Sequence, residues 1–302
     1  MNKRTGFHLL IGIFLFFACT QNKSANESDL LTWQTVQDSS EILVQVEGLS
    51  GPESVRYDPD QDAYFVSNFN GSGGVIDSNG FISKINPDGT VNSLKFMTGT
   101  EDHPMHSPSG MYITGDTLWA CDRKGIQGFN RKTGTQVRYI DLTQFDPGFL
   151  NDIVAGTDGA LYVTDTGTSR VYRIKGNTAT IVQHDLPKPP NGITIEPESE
   201  QLVLAPLNGG QTFYSWNPPD TTFQHNFTAT GGGNFDGIEF YAGKLLATSQ
   251  QDSTLRVITD NDHTIAKLPG KPADLGIDTE RMRTAIPFIA RNEVDIWQLP
   301  MK

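Results

Sequence analysis

Short runs in which apolar and polar residues alternate, the period of a half-buried strand, recur along the chain from residue 41 onward. They are organised as a repeated phrase: a small or polar residue, an apolar strand, a turn, then a second apolar strand with a polar end. Pro52-Glu53-Ser54-Val55-Arg56-Tyr57 leads to Ala63-Tyr64-Phe65-Val66-Ser67-Asn68, and Pro108-Ser109-Gly110-Met111-Tyr112-Ile113 leads to Thr117-Leu118-Trp119-Ala120-Cys121-Asp122. The third and fourth copies begin Leu150-Asn151-Asp152-Ile153 and Pro190-Asn191-Gly192-Ile193. The fifth and sixth begin Phe235-Asp236-Gly237-Ile238 and Pro272-Ala273-Asp274-Leu275. The phrase returns every 40–50 residues or so, roughly the period of a β-propeller whose repeat is a four-stranded blade. Third and fourth strands are legible in the first copy, where Phe81-Ile82-Ser83-Lys84-Ile85 is followed by an Asn86-Pro87-Asp88-Gly89 turn. Asp88-Gly89 and Asp158-Gly159 are hairpin-turn dipeptides.

The sixth phrase leaves room for only three strands before the chain ends, while Glu41-Ile42-Leu43-Val44-Gln45-Val46 is a strand without a repeat of its own. The economical arrangement gives this N-terminal strand to the outer edge of the last blade, closing the ring and leaving no open seam. The expectation is an all-β, six-bladed β-propeller with four-stranded blades over residues 41–302. A β-sandwich with fortuitous spacing is the alternative.

Composition agrees. Of 302 residues, 36% are hydrophobic and only 19% charged, with 30 glycines, which suits many short strands and tight turns and excludes a coiled coil or wholesale disorder. A formal net charge of -12 lacks the basic footprint that a nucleic-acid partner requires. Residues 1–18 read as a signal peptide: Lys3 and Arg4 lead an apolar run that ends in Phe16-Phe17-Ala18-Cys19. That ending resembles a bacterial lipobox, with Cys19 the lipidated residue and 19–40 a polar tether. The expected protein is an exported lipoprotein on the periplasmic or cell-surface side, touching the membrane through its lipid alone. If Cys19 carries lipid, Cys121 has no disulfide partner and is expected to be a buried, inert thiol. A closed ring needs no second copy, so a monomer is expected.

Residues at one phase of different blades converge on the propeller axis. The second position of the phrase supplies Glu53, Ser109, Asn151, Asn191, Asp236 and Ala273. Glu53, Asn151, Asn191 and Asp236 are hard oxygen donors, a set suited to calcium, whereas the absence of histidine and cysteine at this phase disfavours zinc. The bland alternative is local: Asn191-Gly192 and Asp236-Gly237 are good turn dipeptides, and Asn151-Asp152 a turn cap.

In this order on six blades, Pro52-Glu53-Ser54, Asn151-Asp152, Pro190-Asn191-Gly192 and Phe235-Asp236-Gly237 resemble the gluconolactonase, senescence marker protein and luciferin-regenerating enzyme family. Paraoxonases and diisopropyl fluorophosphatase share a similar platform more distantly. The resemblance implies that Glu53, Asn191 and Asp236 hold a divalent ion, that Asn151 contacts the ion, its water or the substrate, and that Asp236 is also the base. Sugar lactonases of this family often carry an arginine two residues before the Asn-Asp pair; Phe149 stands there, which turns the expectation away from polar sugars. Where paraoxonases present a catalytic histidine this chain has Ser109, with His103 and His106 just upstream. Ser109, Phe149 and His106 are therefore the candidate substrate contacts, although a solvent-facing loop histidine is the plainer reading of His103 and His106.

The resulting expectation is a calcium-dependent hydrolase of a lactone or related ester, binding a small molecule in the central channel, with Asp236 and Asn151 catalytic. A non-catalytic surface propeller that binds a ligand, or uses the ion structurally, is the competing reading. A strictosidine-synthase-like condensing enzyme needs a differently placed glutamate. Gly71-Ser72-Gly73-Gly74 and Gly231-Gly232-Gly233 lack the context of a phosphate loop and read as rim loops able to act as lids. Trp119, Trp216 and Trp297 read as core.

Overall fold

The structure, a computed structural model, describes residues 41–300 except 219, 221, 224 and 259–261. The expected signal segment (1–18), Cys19 and the tether (19–40) lie outside the described residues.

Strand β1 (Ile42–Val46) is followed by six four-stranded antiparallel sheets. Blade 1 holds β2 (Pro52–Asp58), β3 (Ala63–Asn68), β4 (Phe81–Ile85) and β5 (Val91–Met97). Blade 2 holds β6 (Met111–Thr114), β7 (Thr117–Cys121), β8 (Gly125–Asn130) and β9 (Gln136–Asp141). Blade 3 is β10 (Leu150–Ala155), β11 (Leu161–Asp165), β12 (Arg170–Lys175) and β13 (Thr178–Gln183). Blade 4 is β14 (Pro190–Ile195), β15 (Leu202–Pro206), β16 (Thr212–Trp216) and β17 (His225–Thr228). In blade 5 come β18 (Phe235–Tyr241), β19 (Lys244–Ser249), β20 (Thr254–Val257) and β21 (His263–Lys267). Blade 6 has β22 (Gly276–Asp278), β23 (Arg283–Phe288) and β24 (Glu293–Gln298), and β1 completes it.

This is the expected six-bladed propeller, with β1 paired antiparallel to β24 from Val46↔Val294 to Ile42↔Trp297. Inner strands are covered by the blades beside them; β2 is buried along its whole length although it carries Glu53, Ser54, Arg56 and Asp58. Six apolar clusters fill the six interfaces between neighbouring blades. One joins blades 2 and 3 through Trp119, Ile126, Ile153 and Tyr172, and another joins blades 6 and 1 through Val46, Val55, Tyr64 and Val294. Trp119, Trp216 and Trp297 are buried, as expected of core residues. Cys121 is a buried free thiol; burial, with Asp152 and Glu53 adding, pushes its pKa well above the ordinary value.

Blades 2 and 6 differ from the sequence reading, since their inner strands start late, at Met111 and Gly276. The residues just before them are drawn to the next blade: Gly110 N–H donates to Asn151 O at 2.7 Å, and Asp274 N–H to Glu53 O at 2.9 Å. Inter-blade hydrogen bonds take the place of part of the ladder there.

Deleting residues 41–46 should expose the hydrogen-bonding edge of β24 and the buried Val294 and Ile296. The expected result is a markedly lower thermal midpoint and soluble aggregates on size-exclusion chromatography; an unchanged midpoint would show that β1 does not close the ring.

Candidate functional site

Four inner strands carry the same irregularity near their first residues. In β2 the register passes from Pro52↔Asn68 to Val55↔Val66, so three steps on the inner strand oppose two on its neighbour. The shift recurs between Leu150 and Ile153, between Pro190 and Ile193, and between Phe235 and Ile238. A β-bulge of this kind inserts one residue and re-aims the side chains around it. The bulged pairs are Glu53-Ser54, Asn151-Asp152, Asn191-Gly192 and Asp236-Gly237, so all four expected metal ligands sit on equivalent bulges at one end of the channel.

Glu53, Asn151, Asn191 and Asp236 are 3, 8, 2 and 5% exposed, a setting in which polar atoms need partners. Two lack them: Glu53 Oε2 and Asn191 Oδ1 are buried without a hydrogen-bond partner. Asn191 Nδ2 donates to Phe235 O at 3.0 Å, leaving the amide oxygen as the free end. Asp236 accepts from Gln250 Nε2 and is also hydrogen-bonded by Asn191. Burial, then Asp274, raises the Asp236 pKa to about 8 against the opposing pull of these two amides. Glu53 is pushed well above the carboxylate range by burial, then by Asp236, Asp274 and Asp152.

A second layer of charge lies at the next residues of the inner strands, and the sequence reading missed it. Asp152 and Asp274 occupy the third position of their phrases, and Arg56 and Glu239 lie within β2 and β18. Arg56 is buried at the axis and touches Asp274 at 3.2 Å, Glu239 at 3.2 Å and Asp152 at 3.5 Å. It also donates to Leu275 O at 2.8 Å and to Met111 O. Burial alone would lower its pKa, but Asp274, Glu239 and Asp152 more than reverse this, so the guanidinium stays charged. Thr194 Oγ1 donates to Glu239 Oε2 at 3.2 Å, tying the fourth blade to the same group. Asp152 is braced by Ile153 N–H and Ile193 N–H, both at 2.8 Å, and Asp274 by Ser54 Oγ at 2.6 Å. Glycine is required at the bulges between these charges: a Cβ on Gly192 would come within 2.2 Å of Asp236 O.

Five carboxyl groups (Glu53, Asp152, Asp236, Glu239 and Asp274) thus share the axis with one guanidinium. Among the described residues no group of three or more His, Cys, Asp or Glu side chains is arranged to hold a metal ion. A cation here would have to rely on amide oxygens together with Glu53 and Asp236. The donor set fits that role: it is all oxygen, two of its atoms are buried and unpartnered, and its two carboxyl groups would give up protons to a bound cation.

The expected substrate contacts are placed differently from one another. Ser109 is fully buried and its hydroxyl donates to Leu150 O at 2.7 Å, a tie between blades 2 and 3. His106 is buried, not solvent-facing: its Nδ1 accepts from Ser78 N–H at 3.1 Å and its own N–H donates to Asp122. His103 is exposed and stacks on Tyr139, centroids 4.4 Å apart. Phe149 is half-buried on the rim, edge-on to Phe69 at 6.4 Å. Gln250, in the β19–β20 turn, reached Asp236 without any sequence signal beyond its place between two strands. Two cavities lie away from the bulges, one of about 420 Å³ between blades 4 and 5 beside Phe227 and Lys244 and one of about 230 Å³ lined by Arg56 and Glu239.

No family model matches the chain, and no curated protein does. Solved structures do. A protein whose gluconolactonase assignment is itself provisional superposes with a TM-score of 0.65 at 17% identity, over 87% of this chain and 93% of that one. A gluconolactonase from Xanthomonas campestris gives 0.62 at 15% identity, over 85% and 88%. Virginiamycin B lyase from Staphylococcus aureus gives 0.60 at 15% identity, over 85% and 98%. At these identities the likeness establishes the fold alone.

Removing the guanidinium should be costly, because it strands Asp152, Glu239 and Asp274 in the interior. Arg56→Met is expected to lose about 3–5 kcal/mol at pH 8 and less at pH 5, measured by denaturant unfolding. Wild-type protein in chelator should follow the same direction. Glu53 and Asp236 keep protons in the folded state that the unfolded chain, with ordinary values of 4.5 and 3.8, has released. Stability should therefore fall as pH rises from about 4 through about 8. Asp236→Asn should flatten that slope; an unchanged slope would remove Asp236 from the titrating cluster.

Proposed function

We propose that this propeller is a divalent-cation-dependent hydrolase of a lactone or related ester, working at the bulged end of its channel. The observation that carries the reading is the pair of buried, unpartnered oxygens, Glu53 Oε2 and Asn191 Oδ1, at the same phase as Asp236. Glu53, Asn191 and Asp236, with Asn151 beside them, would hold the cation, and an all-oxygen set of two carboxylates and two amides favours calcium. Such an ion, when bound, polarises a carbonyl and lowers the pKa of water.

The remaining work falls to the chain's own side chains. Asp236, steadied by Gln250 and Asn191, is the proton acceptor. The Asn151 amide orients the ligand. Phe149 supplies an apolar wall that keeps bulk water from one side of the mouth. Below, Arg56 and its carboxylates lie across the axis, and the ligand enters in this reading from the bulged end. Likeness to two structures described as gluconolactonases supports a lactone-type substrate, while the lyase on the same frame illustrates that a propeller hosts other chemistry. The competing reading, a non-catalytic propeller that binds a ligand around the same ion, is favoured by one observation: Gln250 occupies an Asp236 oxygen that a base needs free.

A panel of lactones and aryl esters, assayed with and without chelator, separates the two. Calcium should raise the thermal midpoint and support turnover, and Glu53→Gln and Asp236→Asn should lose both, with turnover down at least about 100-fold. A calcium-dependent midpoint with no turnover on any substrate would leave the binding propeller; no calcium response at all would overturn both.

We further propose that the chain is an exported lipoprotein held to the membrane through Cys19. Full-length protein expressed in a bacterium should fractionate with membranes and take up labelled palmitate. Cys19→Ser should lose the label and leave the membrane fraction; label retained in that variant would overturn the assignment.

A further inference from the structure

The rim above the bulges contains an arginine that the fold does not satisfy. Arg123 follows β7 by two residues and leans on the mouth of the channel. Its Nη2 donates to Gly148 O at 2.5 Å, and its guanidinium carbon lies 5.0 Å from the centre of the Phe149 ring. Nε and Nη1 are buried and have no partner. Nearby carboxylates do not supply one, because each is already engaged. Asp122 accepts from the N–H groups of His106, Ser107 and Arg123 and from Gln127 Nε2. Asp165 accepts from the N–H groups of Gly148, Phe149 and Thr168 and from the hydroxyls of Thr168 and Tyr172. Burial lowers the Arg123 pKa against the attraction of both, which marks a charge short of compensation.

The surroundings are apolar. Phe69 packs edge-on to Phe149, and Gly74 lies against both Phe149 and Arg123, its Cβ position 3.8 and 4.0 Å from them. Next to Gly74, Val75 and Ile76 are 41 and 56% exposed, large apolar side chains on the same rim loop. That loop is pinned by two contacts only recognisable in the structure: Ser107 Oγ donates to Val75 O at 2.9 Å, and Ser78 N–H to His106 Nδ1 at 3.1 Å.

We propose that Arg123 and Phe149 form the recognition subsite for a ligand that joins a carboxylate to an apolar or aromatic body. The carboxylate takes the free Nε–H or Nη1–H donors, and the body lies between Phe149 and Val75-Ile76. Nε and Nη1 are buried, so entry requires the backbone at Gly74, which lies beside the guanidinium, to shift. A half-buried guanidinium with two unpartnered donors and an adjacent apolar surface are each costly on their own, and one ligand of this class relieves both. The inference rests on the channel mouth being the ligand site of the proposed function and narrows its substrates to acids carrying the scissile lactone or ester. It does not rest on the cation.

Binding of 4-phenylbutyrate, its primary amide and its methyl ester, followed by saturation-transfer NMR and calorimetry, tests it without turnover. The acid should bind about tenfold or more tighter than the amide and ester. Arg123→Gln should erase that preference while keeping the wild-type thermal midpoint within a few degrees, and Arg123→Lys should restore part of it. Phe149→Ala should weaken all three probes alike and leave the preference intact, a control that survives even if Arg123→Gln folds poorly. The preference should persist in chelator and in Glu53→Gln, so failure of the cation-dependent reading remains distinguishable from failure of this one. Equal affinity for acid and amide, a preference retained by Arg123→Gln, or no binding of any probe up to about 10 mM would each overturn the subsite.

Discussion

One guanidinium at the centre of a ring sets the terms for the rest of the molecule. Six blades bring the starts of six inner strands together, and here those starts are rich in carboxylates. Arg56 answers the deeper set by touching Asp152, Glu239 and Asp274 and two backbone carbonyls, reaching groups from blades 2, 3, 5 and 6 as well as its own. A buried ion network of this kind is weak evidence for net stability, yet breaking it from one side leaves charges with nowhere to go. Its effect is on geometry: it fixes how the blades meet on the axis, and with that the spacing of the bulges above it.

Bulges convert this architecture into a site. A regular strand start would send alternate side chains into opposite interfaces, whereas the extra residue lets Glu53, Asn191 and Asp236 hold buried positions at the channel end. Close approach of neighbouring backbones limits what can follow them. Gly192 and Gly237 leave room for the next blade, while Asp152 and Asp274 fill their places with ion pairs. Donors with unpartnered oxygens and proton-holding carboxyl groups are properties of one layer, and the arginine-braced floor is a property of the layer below.

The frame was legible in the sequence because it rests on local rules repeated six times: strand alternation, Asp-Gly turns, and a phrase returning at one phase. Glu53, Asn151, Asn191 and Asp236 could be aligned by that phase alone. Asp152 and Asp274 could not, since glycines at 110, 192 and 237 occupy their phase elsewhere and suggest only tight packing. Arg56 and Glu239 sit within strands whose two faces are both covered, so alternation says nothing about which of them meets the axis. Gln250 and Arg123 reach the mouth from turns whose direction depends on how hairpins and blades lie side by side. His106 read as a loop histidine in solvent, and the contact with Ser78 that buries it comes from another blade.

Pairing of β1 with β24 joins residues 42–46 to 294–297, nearly the full length of the chain apart. The hairpins of blades 1 to 5 need only neighbouring residues and are free to form early. Blade 6 waits for its first-made strand to be met by its last. Ring closure is therefore a late event set by a long-range encounter, and a chain emerging in order from the ribosome carries an unmatched edge until β24 arrives. Once shut, the seam ties the first strand to the last, so opening the ring means breaking the β1–β24 ladder as a unit.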